Sequence, residues 1–210
     1  MYQPAAFRED DPATLHAFIS AHPLGLLISS GGEGLLANPI PFLLYADEGE
    51  RGVLRCHVSR GNKQWQALRD GAETLVVFQG THGYVTPSWY PAKAEHGKVV
   101  PTWNYAVVQV RGAATVVEDA AWLHSNVAAL SDAHELDRPK PWKVTDAPDD
   151  FIAAQLRGIV GVEIAIQGIE GKFKFSQNRA ETDRRGVAHG LAGEPNAADH
   201  LEMVKARGGL

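Results

Sequence analysis

The sequence predicts a mainly β protein with peripheral helices, an α+β fold in which an antiparallel sheet closes into a barrel. Short apolar runs separated by turn-forming clusters follow one another from residue 24 to residue 117, a pattern typical of consecutive antiparallel strands. Five or six such strands around one core favour a closed sheet. The chain has 210 residues, 44% of them hydrophobic and 21% charged, which is enough for one domain with a sizeable core.

The first half of the chain supplies most of the predicted strands. Asp11 and Pro12 resemble a helix start, and Leu15, Phe18 and Ile19 follow at helical spacing, so we predict a short opening helix. A one- or two-turn helix is expected at residues 62–68, between two strands. The predicted strands are 24–29, 35–45, 53–59, 73–79 and 104–117.

The second half alternates helices with the strands that complete the barrel. Asp119 is expected to cap a helix over 120–130, and a further helix is expected over 148–156. Strand patterns return at 160–167 and 172–176, and terminal helices are predicted at 178–187 and 195–206. We therefore expect one domain over residues 1–190 and a C-terminal helical tail over 191–210.

Composition and charge limit the functions that this protein can have. The formal net charge of −5 argues against a direct nucleic-acid footprint, which normally needs clustered Lys and Arg. Cys56 is the only cysteine, so we expect a buried thiol and no intrachain disulfide. No stretch is apolar enough to span a bilayer, so we expect a soluble, cytoplasmic protein. No zinc-binding or hydrolase motif occurs, and no metal site or catalytic acid or base is assigned.

Aromatic and polar residues are concentrated between Phe78 and Tyr105. This stretch holds Trp89 and Trp103, three of the five tyrosines, and three prolines. Its hydrophobic residues have no regular period, so we expect irregular, proline-stiffened backbone rather than a core strand. Aromatic faces beside short polar groups suit a planar, polar ligand.

A polar cluster follows the strand at 53–59. Period two places Arg55, His57 and Ser59 on one strand face, opposite three apolar residues. Hydroxyl, guanidinium, amide and ammonium groups then converge at Ser59, Arg60, Asn62 and Lys63, which suits a phosphate. The alternative is a solvated strand end with a helix N-cap at Asn62. Neither alternative is excluded by the sequence.

Two lysines alternate with two phenylalanines near the end of the predicted barrel. Lys172 and Lys174 share one strand face, opposite Phe173 and Phe175. The lysines could pair with an anion, or they could be an ordinary solvated sheet face.

Six sequence blocks match one known family in the same order. The blocks are Met1–Phe7, Ala37–Phe42, His57–Trp65, Phe78–Tyr90, Val100–Tyr105 and Gly171–Asn178. Each block alone is weak, but together they span about 180 residues. On these blocks the chain resembles the PaiB-like FMN-binding negative transcriptional regulators.

The resemblance implies a relative of the pyridoxamine 5′-phosphate oxidase group. It implies an antiparallel six-stranded split β-barrel, the FMN-binding split-barrel fold, that forms a homodimer and binds FMN between its subunits. The residues implied at the cofactor are Asn38, Pro39, Ile40, His57, Ser59, Arg60, Asn62, Lys63, Thr102, Trp103, Asn104, Lys174, Gln177 and Asn178.

Three functions follow from these expectations. The family implies a flavin-binding transcriptional regulator, with DNA as a candidate partner that the negative charge makes an indirect one. The alternative is a flavin-dependent oxidoreductase that uses FMN with NAD(P)H or a small-molecule substrate. Haem binding or degradation is a third hypothesis, with His57, His82 or a histidine of the tail as the axial ligand.

Overall fold

The computed structural model describes residues 1–32, 34–69 and 71–210. The chain forms two compact units, which we call unit 1 and unit 2. Unit 1 contains Met1–Leu15, Gln79–Val108 and Glu170–Leu210, and unit 2 contains His16–Phe78 and Gln109–Ile169. The prediction of one domain with a separate tail stays a prediction.

Strands and helices both contribute to the fold. The strands are β1 (Arg8–Glu9), β2 (Leu24–Gly31), β3 (Gly34–Pro41), β4 (Leu43–Tyr45), β5 (Val53–Ser59), β6 (Glu73–Val85), β7 (Thr102–Val117), β8 (Ile159–Ala165) and β9 (Gly168–Lys174). The α-helices are α1 (Pro12–Ala21), α2 (Gln64–Leu68), α3 (Ala92–His96), α4 (Ala120–Glu135), α5 (Asp149–Arg157), α6 (Glu181–Leu191) and α7 (Ala198–Gly208). Short 3₁₀ turns lie at Ala5–Phe7, Pro87–Trp89 and Val144–Asp146.

Unit 2 is built on an antiparallel sheet. The strands that run through it lie in the order β3-β2-β6-β7-β8-β5-β4. The pairs β2–β3, β2–β6, β4–β5, β5–β8 and β7–β8 are antiparallel. The side chains of Leu54, Cys56 and Val58 are buried on one face of β5, as their alternation predicts. Cys56 is buried, as predicted, and burial raises the pKa of its thiol.

Helix α4 packs on the sheet of unit 2. Asp119 caps it by accepting a hydrogen bond from the Trp122 backbone N–H at 2.8 Å, which confirms the predicted N-cap. The Trp122 ring lies over Gly161 of β8, where a Cβ would come within 2.3 Å of the ring. A residue with a side chain at position 161 would therefore displace the helix.

In unit 1, β9 is the strand on which the N- and C-terminal parts of the chain meet. It pairs with β1, in the register Arg8↔Lys172, and with β7. On one side Phe173 and Phe175 are buried together with Val187 of α6 and Val204 of α7. Helix α7 covers most of the segment for which the sequence predicts a terminal helix.

The expectation of irregular backbone between Phe78 and Tyr105 is wrong at both ends of that stretch. β6 continues to Val85, and β7 already begins at Thr102. Val85 and Asn104 are buried, whereas Tyr84 and Trp103 on the opposite face are about half exposed. The alternation of buried and exposed residues along these strands is not visible in the sequence, because the exposed face carries aromatic residues and is as apolar in composition as a buried face.

Two further boundaries differ from the sequence-based expectation. Among the described residues the sheet has nine strands rather than six, since the predicted strand 35–45 is interrupted at Phe42 and β1 is a two-residue strand. The helix expected from residue 178 begins at Glu181, because Ser176 takes a φ of 65° and a turn follows it. No helix in the described part of the chain is both long and apolar enough to cross a membrane.

Candidate functional site

The corner between β5 and α2, residues 59–63 of unit 2, is shaped by its own polar side chains. Ser59 Oγ accepts a hydrogen bond from the Gly61 N–H at 3.2 Å, and Asn62 Oδ1 accepts one from the Gln64 N–H at 3.1 Å. The Asn62 N–H donates to the Ser59 carbonyl at 2.8 Å. Asn62 therefore supports the first turn of α2, close to the predicted N-cap role, and its side-chain NH₂ group forms no hydrogen bond with any residue that the structure describes.

Arg60 is already engaged by protein groups. Its Nη1 donates to Glu118 Oε2 at 2.6 Å, and its Nε and Nη2 donate to the carbonyls of Arg157 and Ile159 at 3.1 and 3.3 Å. Arg69 donates to the other oxygen of Glu118 at 2.5 Å. The hydrogen bond from Arg60, followed by that from Arg69, lowers the pKa of Glu118, so this carboxylate is ionised. A phosphate at Arg60 must compete with it.

Lys63 is the available cation at this corner. Its side chain is exposed, and no residue in the described ranges forms a hydrogen bond or ion pair with it. It directly follows Asn62, so an ammonium and an amide donor sit next to each other at the strand end. This pair matches the donors that a phosphate monoester requires.

Asn38 is tied to a buried glutamine. Its Nδ2 donates to Gln64 Oε1 at 2.8 Å, and Gln64 Nε2 donates to the Leu27 carbonyl at 3.0 Å and to Ser29 Oγ at 3.1 Å. Gln64 is 1% exposed. Gln64 was not among the site residues predicted from the sequence, although a glutamine beside the apolar Trp65 in a short helix is a signal of a buried polar contact.

The neighbouring residues of β3 differ in exposure. Pro39 is exposed, whereas the side chain of Ile40 is buried in the core. The side chain of Ile40 is therefore not available to a ligand, and the expected contact through backbone groups stays a prediction.

His57 lies half-buried on the side of β5 that α4 covers. Its Nδ1 is 3.5 Å from Asn126 Nδ2, and burial lowers the pKa of His57, so the imidazole is neutral near pH 7. Asn126 is 3% exposed, and its Oδ1 has no partner among the residues that the structure describes. The two polar side chains therefore lie next to each other where α4 packs on β5.

The side chains of Asn104 and Gln177 in unit 1 form hydrogen bonds within the protein. Asn104 is fully buried, and its Nδ2 lies 3.2 Å from both Ser176 Oγ and His200 Nε2. Gln177 Oε1 accepts a hydrogen bond from the Phe175 N–H at 2.7 Å. The expected cofactor role of these two amides stays a prediction, and so does that of the exposed Asn178.

The outer side of the sheet in unit 1 carries aromatic rings, which we call the aromatic face: the exposed His82, Tyr84 and Trp103, and the partly buried Tyr105. Trp103 Nε1 donates to His82 Nδ1 at 3.3 Å, and the Tyr84 ring meets the Trp103 ring edge-on at 6.1 Å between centroids. Trp103 is 49% exposed. The aromatic rings thus hold one another in place while their outer surfaces remain accessible.

Lys174 lies at the edge of the aromatic face. Its Nζ donates to the Trp103 carbonyl at 2.8 Å and to Thr102 Oγ1. Burial lowers the pKa of Lys174, and the positive charges of Lys172 and Arg179 lower it further. The structure therefore brings Thr102, Trp103 and Lys174 together, and their role at a cofactor stays a prediction.

A family model matches most of the chain. It describes a "Putative FMN-binding domain" and covers residues 1–168. An uncharacterised protein of Aspergillus fumigatus is 34% identical over 100% of this chain and 98% of its own length. The protease synthase and sporulation protein PAI 2 of Bacillus subtilis is 29% identical over 98% of this chain and 97% of its own length.

Solved structures resemble the fold. An FAD and haem binding protein from Mycobacterium smegmatis aligns with a TM-score of 0.59 at 17% identity, over 80% of this chain and 73% of that one. The flavocytochrome Anf3 from Azotobacter vinelandii aligns with a TM-score of 0.56 at 16% identity, over 80% and 69%. At such low identity these likenesses concern the fold alone. The predicted mainly antiparallel, split-barrel fold class is confirmed.

Proposed function

The chain belongs to the FMN-binding domain family and is PaiB-like, and from this premise we propose that it binds FMN through the corner between β5 and α2. The family points to a flavin, and the corner supports FMN because FMN ends in a phosphate monoester. The observation that carries the proposal is the Lys63 ammonium, unpaired within the described ranges, next to the Asn62 amide, with the guanidinium of Arg60 preceding them.

The residues present fit the group in their chemistry. Lys63 and Asn62 offer free donors to the phosphate, and Ser59 offers a hydroxyl. Asn38, fixed by Gln64, presents the exposed backbone around Pro39 to the ring edge. Bound FMN would supply reversible electron transfer, and the protein's part is to hold and orient it.

We further propose that two copies of the chain bind FMN as a homodimer in the cytoplasm and act as a negative regulator of transcription. The support is the full-length similarity to the Bacillus subtilis sporulation protein. The net charge of −5 supports action through a partner protein rather than direct DNA contact. A salt-sensitive gel shift with the purified protein alone would contradict this indirect route.

A flavin-dependent oxidoreductase is the second candidate function. It is favoured by the aromatic face, whose accessible rings suit a planar substrate. Anaerobic mixing with NADPH tests it: a bound flavin that bleaches no faster than free FMN excludes this donor. The haem hypothesis with His57 or His82 stays a prediction, which a Soret band on haem titration would support.

FMN titration followed by flavin fluorescence tests the main proposal. Arg60→Met is expected to weaken FMN binding by about 1.5–3 kcal/mol, the usual size of a charged hydrogen bond. Arg69→Met is the matched control, since Arg69 shares Glu118 and the Trp65 ring with Arg60. An equal loss of FMN affinity in both variants, or no loss in either, would show that the phosphate binds elsewhere. A wild-type protein that does not bind FMN would refute the proposed function.

A further inference from the structure

Lys172 is a buried cation of unit 1 whose ammonium lies against aromatic rings. Its side chain extends between two tyrosine rings, with Nζ 5.2 Å from the ring centroid of Tyr2 and 5.3 Å from that of Tyr105. The residue is only 9% exposed. Within the described ranges it forms no hydrogen bond and no ion pair. Aromatic rings attract an ammonium but cannot accept its three N–H bonds as oxygen atoms would.

The acids nearest in the sheet are bound to other cations. Glu9, opposite Gly171 in the β1–β9 register, forms an ion pair with Arg207. Glu170 accepts a hydrogen bond from the amino group of Met1 at 2.7 Å. In the part of the chain that the structure describes, no carboxylate forms a salt bridge with Lys172, Lys174 or Arg179.

The positive charges of Lys172, Lys174 and Arg179 therefore lie near one another without a carboxylate to neutralise them. Lys174 uses two of its donors on Thr102 and Trp103 and keeps a third, with its Nζ 6.0 Å from the Tyr105 ring centroid. Burying an ammonium without a counter-charge is unfavourable unless a ligand supplies one. The arrangement has positive charge at its centre and accessible rings at its sides.

We propose that Lys172 and Lys174, with the rings of Tyr2, Tyr105 and Trp103, bind the anionic group of a planar aromatic ligand. The two ammonium groups hold the carboxylate or phosphate, and the rings stack on the aromatic part of the ligand. Two sources offer this chemistry: a separate aromatic acid that serves as substrate or effector, or FMN through its phosphate. If FMN is the source, this site replaces the corner between β5 and α2 as the phosphate site; if a separate acid is the source, the site does not depend on that corner.

The Tyr2 ring is held over Lys172 by its neighbours. The Met1 amino group binds Glu170, and Gln3 Nε2 donates to the Gly171 carbonyl at 2.7 Å. Tyr2 itself is 83% exposed, so its outer surface remains free. The chain on either side of Tyr2 is thus anchored to β9, beside the proposed site.

Quenching of tryptophan fluorescence tests the site, with 2-naphthoate as the probe acid and 2-naphthamide as its neutral analogue. Lys172→Met removes the charge at similar volume. Lys205→Met is the matched control, because Lys205 pairs with Glu202 on the surface of α7. We expect 2-naphthoate to bind the wild type and the control alike, and to bind Lys172→Met about tenfold or more weakly. The amide should bind all three proteins weakly.

FMN and riboflavin form the second arm of the experiment. If the FMN phosphate is the ligand group, Lys172→Met should lose about tenfold or more in FMN affinity while riboflavin binding is unchanged. Lys172→Arg keeps the charge and should retain binding, which separates loss of charge from misfolding. If neither 2-naphthoate nor FMN distinguishes Lys172→Met from Lys205→Met, the proposal is overturned. Failure of the wild type to bind FMN would refute the proposed function, but it would not affect the conclusion drawn from 2-naphthoate binding.

Discussion

The guanidinium of Arg60 and the carboxylate of Glu118 are joined by a hydrogen bond of 2.6 Å from Nη1 to Oε2. Fifty-eight positions separate the two residues in the chain. Because Glu118 also accepts a hydrogen bond from Arg69, it holds two arginines at once. Glu118 thus occupies the arginine fork that the proposed FMN phosphate would use, and it acts as an internal competitor for that phosphate.

Removing the competing charge should tighten FMN binding. Glu118→Gln is expected to raise FMN affinity roughly threefold to tenfold at low salt, because the phosphate no longer meets a carboxylate at Arg60. The gain should shrink in 0.5 M NaCl. Flavin fluorescence titration measures it, and Glu202→Gln on α7 makes the same change in net charge as a control. Weaker FMN binding in Glu118→Gln would show instead that Glu118 positions Arg60 for the ligand.

A side chain at residue 190 should destabilise unit 1. A Cβ on Gly190 of α6 would lie 2.3 Å from Cδ2 of Trp89, so the helix and the indole would have to separate. We expect Gly190→Ala to lower the free energy of unfolding by about 1–3 kcal/mol, the usual cost of overpacking. Urea denaturation measures it. Gly193→Ala, whose Cβ would meet nothing closer than 3.6 Å, should change it far less.

Truncation of Asn104 should leave two buried polar groups without a partner. Asn104→Ala removes the amide that lies 3.2 Å from both Ser176 Oγ and His200 Nε2. The expected loss is about 2–4 kcal/mol of unfolding free energy, since each abandoned group loses its hydrogen bond. Ser125→Ala on the exposed side of α4 provides the comparison and should stay within about 0.5 kcal/mol of wild type. A loss no larger than in that control would mean that water replaces the amide.

Stability should fall as the solution becomes acidic. Burial, and then the nearby His82, lowers the pKa of His200, so the folded protein binds the proton less readily than the unfolded chain. The stabilising contribution of neutral His200 is therefore fully present above the unfolded pKa of about 6.5 and is lost as the pH falls through the lower folded pKa. His57, whose pKa burial also lowers, acts in the same direction.

Thermal unfolding at pH 7.5 and pH 5.5 checks this linkage. The wild type should melt at a lower temperature at pH 5.5. In His200→Gln the difference between the two pH values should be smaller, because one of the two linked protons is gone. His189→Gln, at an exposed position of α6, should keep the wild-type difference. An equal difference in all three proteins would assign the pH dependence to other groups.

Local periodicity predicted much of unit 2. The alternation along β5 correctly separated buried Leu54, Cys56 and Val58 from the polar face, and Asp119 correctly marked the start of α4. These predictions succeeded because strand pleating and helix capping depend on neighbours in the chain. The same reasoning failed between Phe78 and Tyr105, because exposed aromatic rings on β6 and β7 concealed a strand pattern that only their pairing stabilises.

The sequence by itself determined the fold class, the family and the polar composition of the residue 59–63 corner, since these follow from residue types in a fixed order. Only the tertiary structure decided which charges are free. It placed Glu118 on Arg60, and it paired Glu9 and Glu170 with Arg207 and Met1, leaving Lys172 between two rings. Coulomb interactions depend on distances in space between residues that lie far apart in the chain, and a linear pattern does not contain those distances.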